Sequence, residues 1–155
     1  MSAPRALGLG AISGLRSLSG PALVSHAASH GRLNLEGTPL AFLGSSRLSK
    51  ALVLMELGEL FGDKLPMALS RTALSPLLGR AASGGVVGAA IFISEGRRST
   101  TGTVLGSTAA TVAAFAGERL RAFAVEKTGL PNSVVALAED AIVFLVGFRL
   151  LRNVR

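Results

Sequence analysis

In the stretch MELGELFGDKLP, residues 55 to 66, an otherwise apolar run carries Glu56, Glu59, Asp63 and Lys64. On a helix Glu56, Glu59 and Asp63 occupy positions i, i+3 and i+7, within about 60° of one another at 100° per residue. Leu54, Leu57 and Phe61 then look elsewhere, so one face is acidic. Clustered carboxylates offer hard oxygen ligands to cations, and their mutual repulsion favours proton uptake. Isolated charges recur in other apolar segments at Arg16, Arg80, Glu118, Glu139 and Asp140. Arginine there balances the acids or holds an anionic solute through two parallel hydrogen bonds. The expected ion- or solute-binding set is therefore Arg16, Glu56, Glu59, Asp63, Lys64, Arg80, Glu118, Glu139 and Asp140. Whether a metal is among the ions is left open, and no cofactor is expected.

Other chemistry is poorly supplied. His26 and His30 stand at i, i+4, a spacing that can hold a metal on a helix, but SHAASHGR reads better as a solvated helix terminus. A serine hydrolase needs a base and an oxyanion site as well as its serine, and no such set is expected here. The glycines of LGLGAISG lack the strand-turn-helix setting of a nucleotide loop. With no cysteine there is no disulfide, thiolate metal site or thiol nucleophile. The chain is not expected to be an enzyme.

The elements that position these charges are apolar. The 155 residues are 49% hydrophobic and 16% charged, with 19 glycines and a mean hydropathy of +0.53, where an ordinary soluble domain carries about 25% charge. Trp and Tyr, which enrich membrane interfaces, are absent. The formal charge of +7 comes from scattered residues with no basic stripe and no stacking aromatics beyond seven Phe, so nucleic acid is not the expected partner. Residues 1 to 35 hold Arg5, Arg16 and Arg32 with no acid, imitating a transit peptide, yet residues 7–29 are long enough to span.

Five stretches, 7–29, 48–65, 74–95, 102–124 and 132–151, reach roughly 27 to 35 Å as helices. The expectation is one all-α domain over 1–155, an integral membrane bundle of about five transmembrane helices. Pro21 is placed to kink or break the first of them. Gly10-x-x-x-Gly14, Gly84-x-x-x-Gly88 and Gly102-x-x-x-Gly106 are small-residue contact stripes. RSLSGPALV from Arg16 can be laid on RAASGGVV from Arg80, suggesting a two-helix repeat over 7–70 and 72–135 with a fifth helix unpaired. If all five segments cross, odd helices start and even helices end on the N-terminal face. The intramembrane charges then share the half of the bilayer nearest that face. The face bearing the first and third loops and the C-terminus is richer in Arg and Lys, which places the C-terminus in the cytoplasm and the N-terminus outside.

At ELFGDKLP the chain resembles a family of small polytopic membrane proteins known as domain of unknown function 4126. The likeness rests on Gly14-Leu15-Arg16-Ser17 with Pro21-Ala22, on Glu59, Asp63, Lys64 and Pro66, and on Asn132 and Ser133 before Glu139 and Asp140. It departs at Arg80-Ala81, where members often carry Arg-Pro, and at Ala136, where a serine is usual. The resemblance implies the membrane class and the same residues, and no reaction. A more distant similarity, to cation–proton exchangers with a Glu-x-Gly-Asp-Lys/Arg-Ser/Thr signature, stops at Gly62-Asp63-Lys64.

The functional expectation is a multi-pass protein of the plasma membrane that transports or conducts a small ion or polar solute. It is expected to be a homo-oligomer, because five short helices enclose a pathway poorly. The alternatives are a non-transporting membrane scaffold or assembly partner and, with less support, an intramembrane enzyme acting on lipid.

Overall fold

A computed structural model describes residues 2–62 and 72–152, the side chains of 59–62 excepted. Within them the structure is all α: α1 (Ser2–Leu15), α2 (Ser19–Ser29), a short 3-10 turn (Ala41–Gly44), α3 (Ser46–Gly62), α4 (Leu74–Ser94), α5 (Ser99–Thr128) and α6 (Asn132–Arg152). The last three segments fall where the hydropathy placed them, although α5 runs longer at both ends. Gly129, with φ at 66°, takes the left-handed conformation that ends α5, and Pro131 follows directly.

The first segment is not one helix. It breaks after Leu15 and reverses. Gly20 of α2 lies against Ser13 and the Leu9 carbonyl of α1. Gly147 of α6 faces Ile12 and Leu23 together, so residues on either side of the break reach the same level of the bundle. The cause is local. A continuous helix would drive the Pro21 ring into the carbonyl of Ser17, four residues earlier, and would deprive that carbonyl of its donor. With the break, Pro21 falls in the first turn of α2, where its missing N–H is no loss. The suggested repeat therefore does not extend to structure, because Arg80 lies within the unbroken α4 whereas Arg16 lies at the break.

Reversal of the first segment changes the direction of everything after it. α3 starts beside the end of α2, with His26 and His30 close to Ser46, Ser49 and Lys50. α4 returns to the end from which α1 starts, where Arg5 pairs with Glu95 at 3.0 Å and Arg97 donates to the Ser2 hydroxyl. α5 leaves that end again. α6 comes back to it, with Leu150 against Gly8. The start of α1 and the end of α6 thus share one end of the bundle, which is incompatible with the expected arrangement of one terminus on each side. Among the described residues the shared end gathers Arg5, Arg32, Arg47, Lys50, Arg97, Arg98, Arg149 and Arg152 against Glu36 and Glu95. The opposite end carries Arg119, Arg121 and Lys127 against Glu118, Glu126 and Glu139 among the described residues.

The three glycine stripes meet one another inside a single chain. A Cβ on Gly10 would lie 2.6 Å from the Gly106 carbonyl oxygen, and one on Gly84 would lie 2.5 Å from that same atom. Gly14 abuts Ala110, and Gly88 abuts Gly102. α1, α4 and α5 therefore touch backbone to backbone, a distance that only small residues permit. Leu9, Ile12, Val24, Val87, Ile91 and Val143 form the centre of the core beside this junction, and Leu33, Leu35 and Leu43 of the α2–α3 connection complete it.

Gly14→Leu forces apart α1 and α5 and is expected to abolish a monodisperse fold in size-exclusion chromatography. Gly58→Ala, at a helical site with nothing within 4 Å, is expected to raise the melting temperature, by roughly 0.5–1 kcal/mol of helix propensity. At the shared end, partial burial alone would raise the Glu95 carboxyl, but hydrogen bonding and charge from neighbouring positive groups, Arg5 a lesser one among them, bring it below its ordinary value. A lowered carboxyl stabilises the fold above the unfolded-state value and loses that contribution as pH falls through the folded one. Glu95→Gln is therefore expected to cost less than about 1 kcal/mol near neutral pH, and its thermal melts should converge with wild type in acid.

Candidate functional site

Arg16 is the largest of the fully buried side chains among the described residues. It occupies the turn between α1 and α2, at the tip of the hairpin and about 20 Å along α1 from Ser2. Its Nε donates to Asp140 Oδ1 of α6 at 2.6 Å, and its Nη1 lies 3.8 Å from Glu56 Oε1 of α3. Glu56 accepts a further hydrogen bond from the Ser19 hydroxyl at the start of α2. Three separate elements thus place a guanidinium, two carboxylates and a hydroxyl in one buried cluster.

The hairpin turn itself is held from α4. Arg80 Nη1 donates to the carbonyls of Gly14 at 2.9 Å and Leu15 at 2.8 Å, and the Ser83 hydroxyl donates to the Ser17 carbonyl. These are carbonyls that the end of α1 leaves without helical partners. A cation at a helix C-terminus is also favoured by the helix dipole. Arg80 therefore serves the turn, and Arg16 serves the carboxylates.

The set expected from the sequence divides accordingly. Arg16, Glu56 and Asp140 come together, and Arg80 adjoins them through the turn. Glu139, although next to Asp140, faces a different neighbour. It accepts from Arg121 Nε of α5 at 3.0 Å and so closes the α5–α6 hairpin. Glu118 is half-buried on α5, a turn before Arg121. Glu59, Asp63 and Lys64 lie outside the residues whose side chains are described. Only Arg16, Glu56, Asp140 and the adjoining Arg80 are brought to one level, and that level is not where the sequence placed it. The cluster sits at the hairpin tip, away from the end that carries Ser2, because the first segment turns back instead of crossing. His26 and His30 close α2, with His30 Nδ1 2.8 Å from the His26 carbonyl oxygen, as expected of a helix terminus.

Ser19, Ser83 and Arg121 were not expected to take part. The signal for Arg121 was present: Arg121 and Glu139 stand nine positions either side of Leu130, the register of an antiparallel hairpin turning there. No signal pointed to Ser19 or Ser83, because their roles exist only once the chain reverses between them.

Residues 5–151 match the family described as Domain of unknown function (DUF4126). The chain belongs to this family. No curated protein and no solved structure matches it. The match spans all six helices apart from the first three residues of α1 and the last of α6, so the hairpin, the Arg16 cluster and the glycine junction all fall within the DUF4126 domain.

One partner of a buried ion pair cannot be removed without stranding the other. Arg16→Gln and Asp140→Asn are each expected to cost about 3–5 kcal/mol, read as a large drop in melting temperature. The triple variant Arg16→Met, Glu56→Gln, Asp140→Leu, which removes all three charges, should recover a substantial part of that loss, and a double-mutant cycle on Arg16 and Asp140 measures their coupling.

Proposed function

We propose that this DUF4126 protein is a multi-pass integral membrane protein that moves a small ion or polar solute past the Arg16 cluster. Support for the membrane comes first from the surface. α4 is long and apolar enough to cross, with a mean hydropathy of 1.5 over its best window. Large apolar side chains also stand exposed along every other long helix, among them Leu54 on α3, Val104 and Leu120 on α5 and Leu145 on α6, each about two-thirds exposed. Contiguous apolar surface on this scale needs a cover. Acyl chains provide one, and on α5 a second copy of the chain is another. In this reading α3 to α6 cross, and the α1–α2 hairpin is re-entrant. Irregular backbone at membrane depth is tolerated where protein buries it, as Arg80 and Ser83 do here. The strongly basic end faces the cytoplasm, with the start of α1 and the end of α6 both on that side.

The observation that carries the transport reading is Asp140. It is 4% exposed, and its Oδ2 is buried without a hydrogen-bond partner among the described residues. Glu56 and Asp140 both face the Arg16 guanidinium, and Asp140 keeps a buried oxygen with no donor among the described residues. A buried acceptor left unmet is costly, and a proton or small cation would meet it. Ionisable groups at membrane depth are functional by default. The tight glycine junction favours a second reading, in which the cluster only fixes the register of a scaffold and nothing passes.

Reconstituted in liposomes, the wild-type protein should give ion flux that responds to pH, and Asp140→Asn, which leaves Arg16 still facing the Glu56 carboxylate, should abolish it while the protein stays folded by circular dichroism. Unchanged flux would reject the role of Asp140, and no flux from folded wild type for protons, alkali cations or small anions would favour the scaffold.

A further inference from the structure

A groove runs along the outside of the hairpin, between α2, α3 and α6. Its inner part is a cavity of about 350 Å³ lined by Ala22, Leu23, Val53, Leu57, Phe144 and Phe148. Ser19 and Glu56 also border it, but they are hydrogen-bonded to each other and turned into the Arg16 cluster. The wall facing the groove is therefore almost wholly apolar. Beyond His26 and Val53 lies an outer part of about 570 Å³, whose surface is still mostly apolar but which His30, Ser46, Ser49 and Lys50 border alongside Val53 and Leu54. Lys50 is exposed and lies at the basic end of the bundle, with Arg47 one turn before it on α3.

A mostly apolar groove thus acquires a cationic and hydroxylic border at one end, two turns of α3 from Leu57 to Lys50, about 10 Å. Exposed hydrophobic side chains stand on the same two helices, Leu54 of α3 in the outer part and Leu145 of α6 outside the groove. In the membrane reading, on which this inference rests, the inner part opens sideways at the depth of acyl chains, and the cationic border lies at headgroup level. We infer that the groove is a binding site for an anionic phospholipid of the leaflet at the basic end. The phosphate is held by Lys50 with the Ser46 and Ser49 hydroxyls, and one acyl chain lies over Val53, Leu57 and Phe148. Charge selects the headgroup, since basic residues at a membrane surface attract anionic lipid. The apolar wall supplies burial of the chain. A bound acyl chain would brace α3 against α6, the two elements that bring Glu56 and Asp140 to Arg16.

The test uses the full chain, purified in detergent and stripped of lipid. Its melting temperature is measured with added phosphatidylglycerol, phosphatidylcholine of the same acyl chains, and oleate. Phosphatidylglycerol is expected to raise the melting temperature by several degrees and phosphatidylcholine by much less, because a ligand that binds only the folded state stabilises it. Lys50→Gln should remove most of the difference between the two phospholipids. Val53→Trp, which fills the groove, should remove stabilisation by both, whereas Leu145→Trp, outside the groove, should not. Equal stabilisation by both phospholipids, or an unaltered response in Val53→Trp, would overturn the site. Stabilisation by oleate alone would replace the phospholipid with a free fatty acid and overturn the proposal as stated. A chain that stays monodisperse in water without detergent would reject the membrane reading itself, an outcome separate from failure of the groove.

Discussion

A guanidinium cannot be taken out of water unless its charge is met, and Arg16 is almost wholly enclosed. Meeting that charge requires Asp140 from the last helix and Glu56 from α3 at one point, and it requires the chain to bend where Arg16 stands. The bend in turn frees carbonyls at and just after the end of α1, and a buried or partly buried carbonyl needs a donor. Arg80 and Ser83, one turn of α4 apart, supply those donors. Four separate parts of the chain are thus committed by one buried cation and the turn that carries it.

What makes the tip a defined place is the rigidity behind it. α1, α4 and α5 are joined by glycines so closely that their backbones touch, and such a junction has little freedom to slide. The hairpin tip, α3 and α6 are attached to this frame by polar contacts and by larger, more loosely fitting side chains. A division between a fixed three-helix frame and a polar tip completed by two other helices suits a site whose occupancy changes, because alterations at Asp140 or Glu56 can be taken up by α6 and α3 without disturbing the junction.

The reversal also decides the electrostatics of the whole molecule. A first segment that crossed would leave Arg5 opposite the other basic loops. A first segment that turns back adds Arg5 to Arg32, Arg47, Arg97 and Arg98, and leaves the other end nearly neutral among the described residues. The sidedness that a topology rule would read from loop charges is therefore sharpened by a turn of three residues.

The amino-acid sequence by itself determined that this protein is helical and apolar, where the last three helices lie, and which charged residues stand out. Hydropathy, the Gly129–Pro131 punctuation and the i, i+4 spacing of small residues are local properties, and local properties survive without the fold. Arg16, Glu56 and Asp140 were legible as candidates for the same reason: a charge in an apolar run is conspicuous wherever it ends up. Only the tertiary structure decided that residues 7–29 reverse, that Glu139 turns to Arg121 while Asp140 turns to Arg16, and that the three glycine stripes meet one another. Pro21 permits a kink or a break equally well, and the choice between them depends on donors from α4 being in place to satisfy the carbonyls that a break sets free. That is a contact between residues 66 positions apart, and no local pattern contains it.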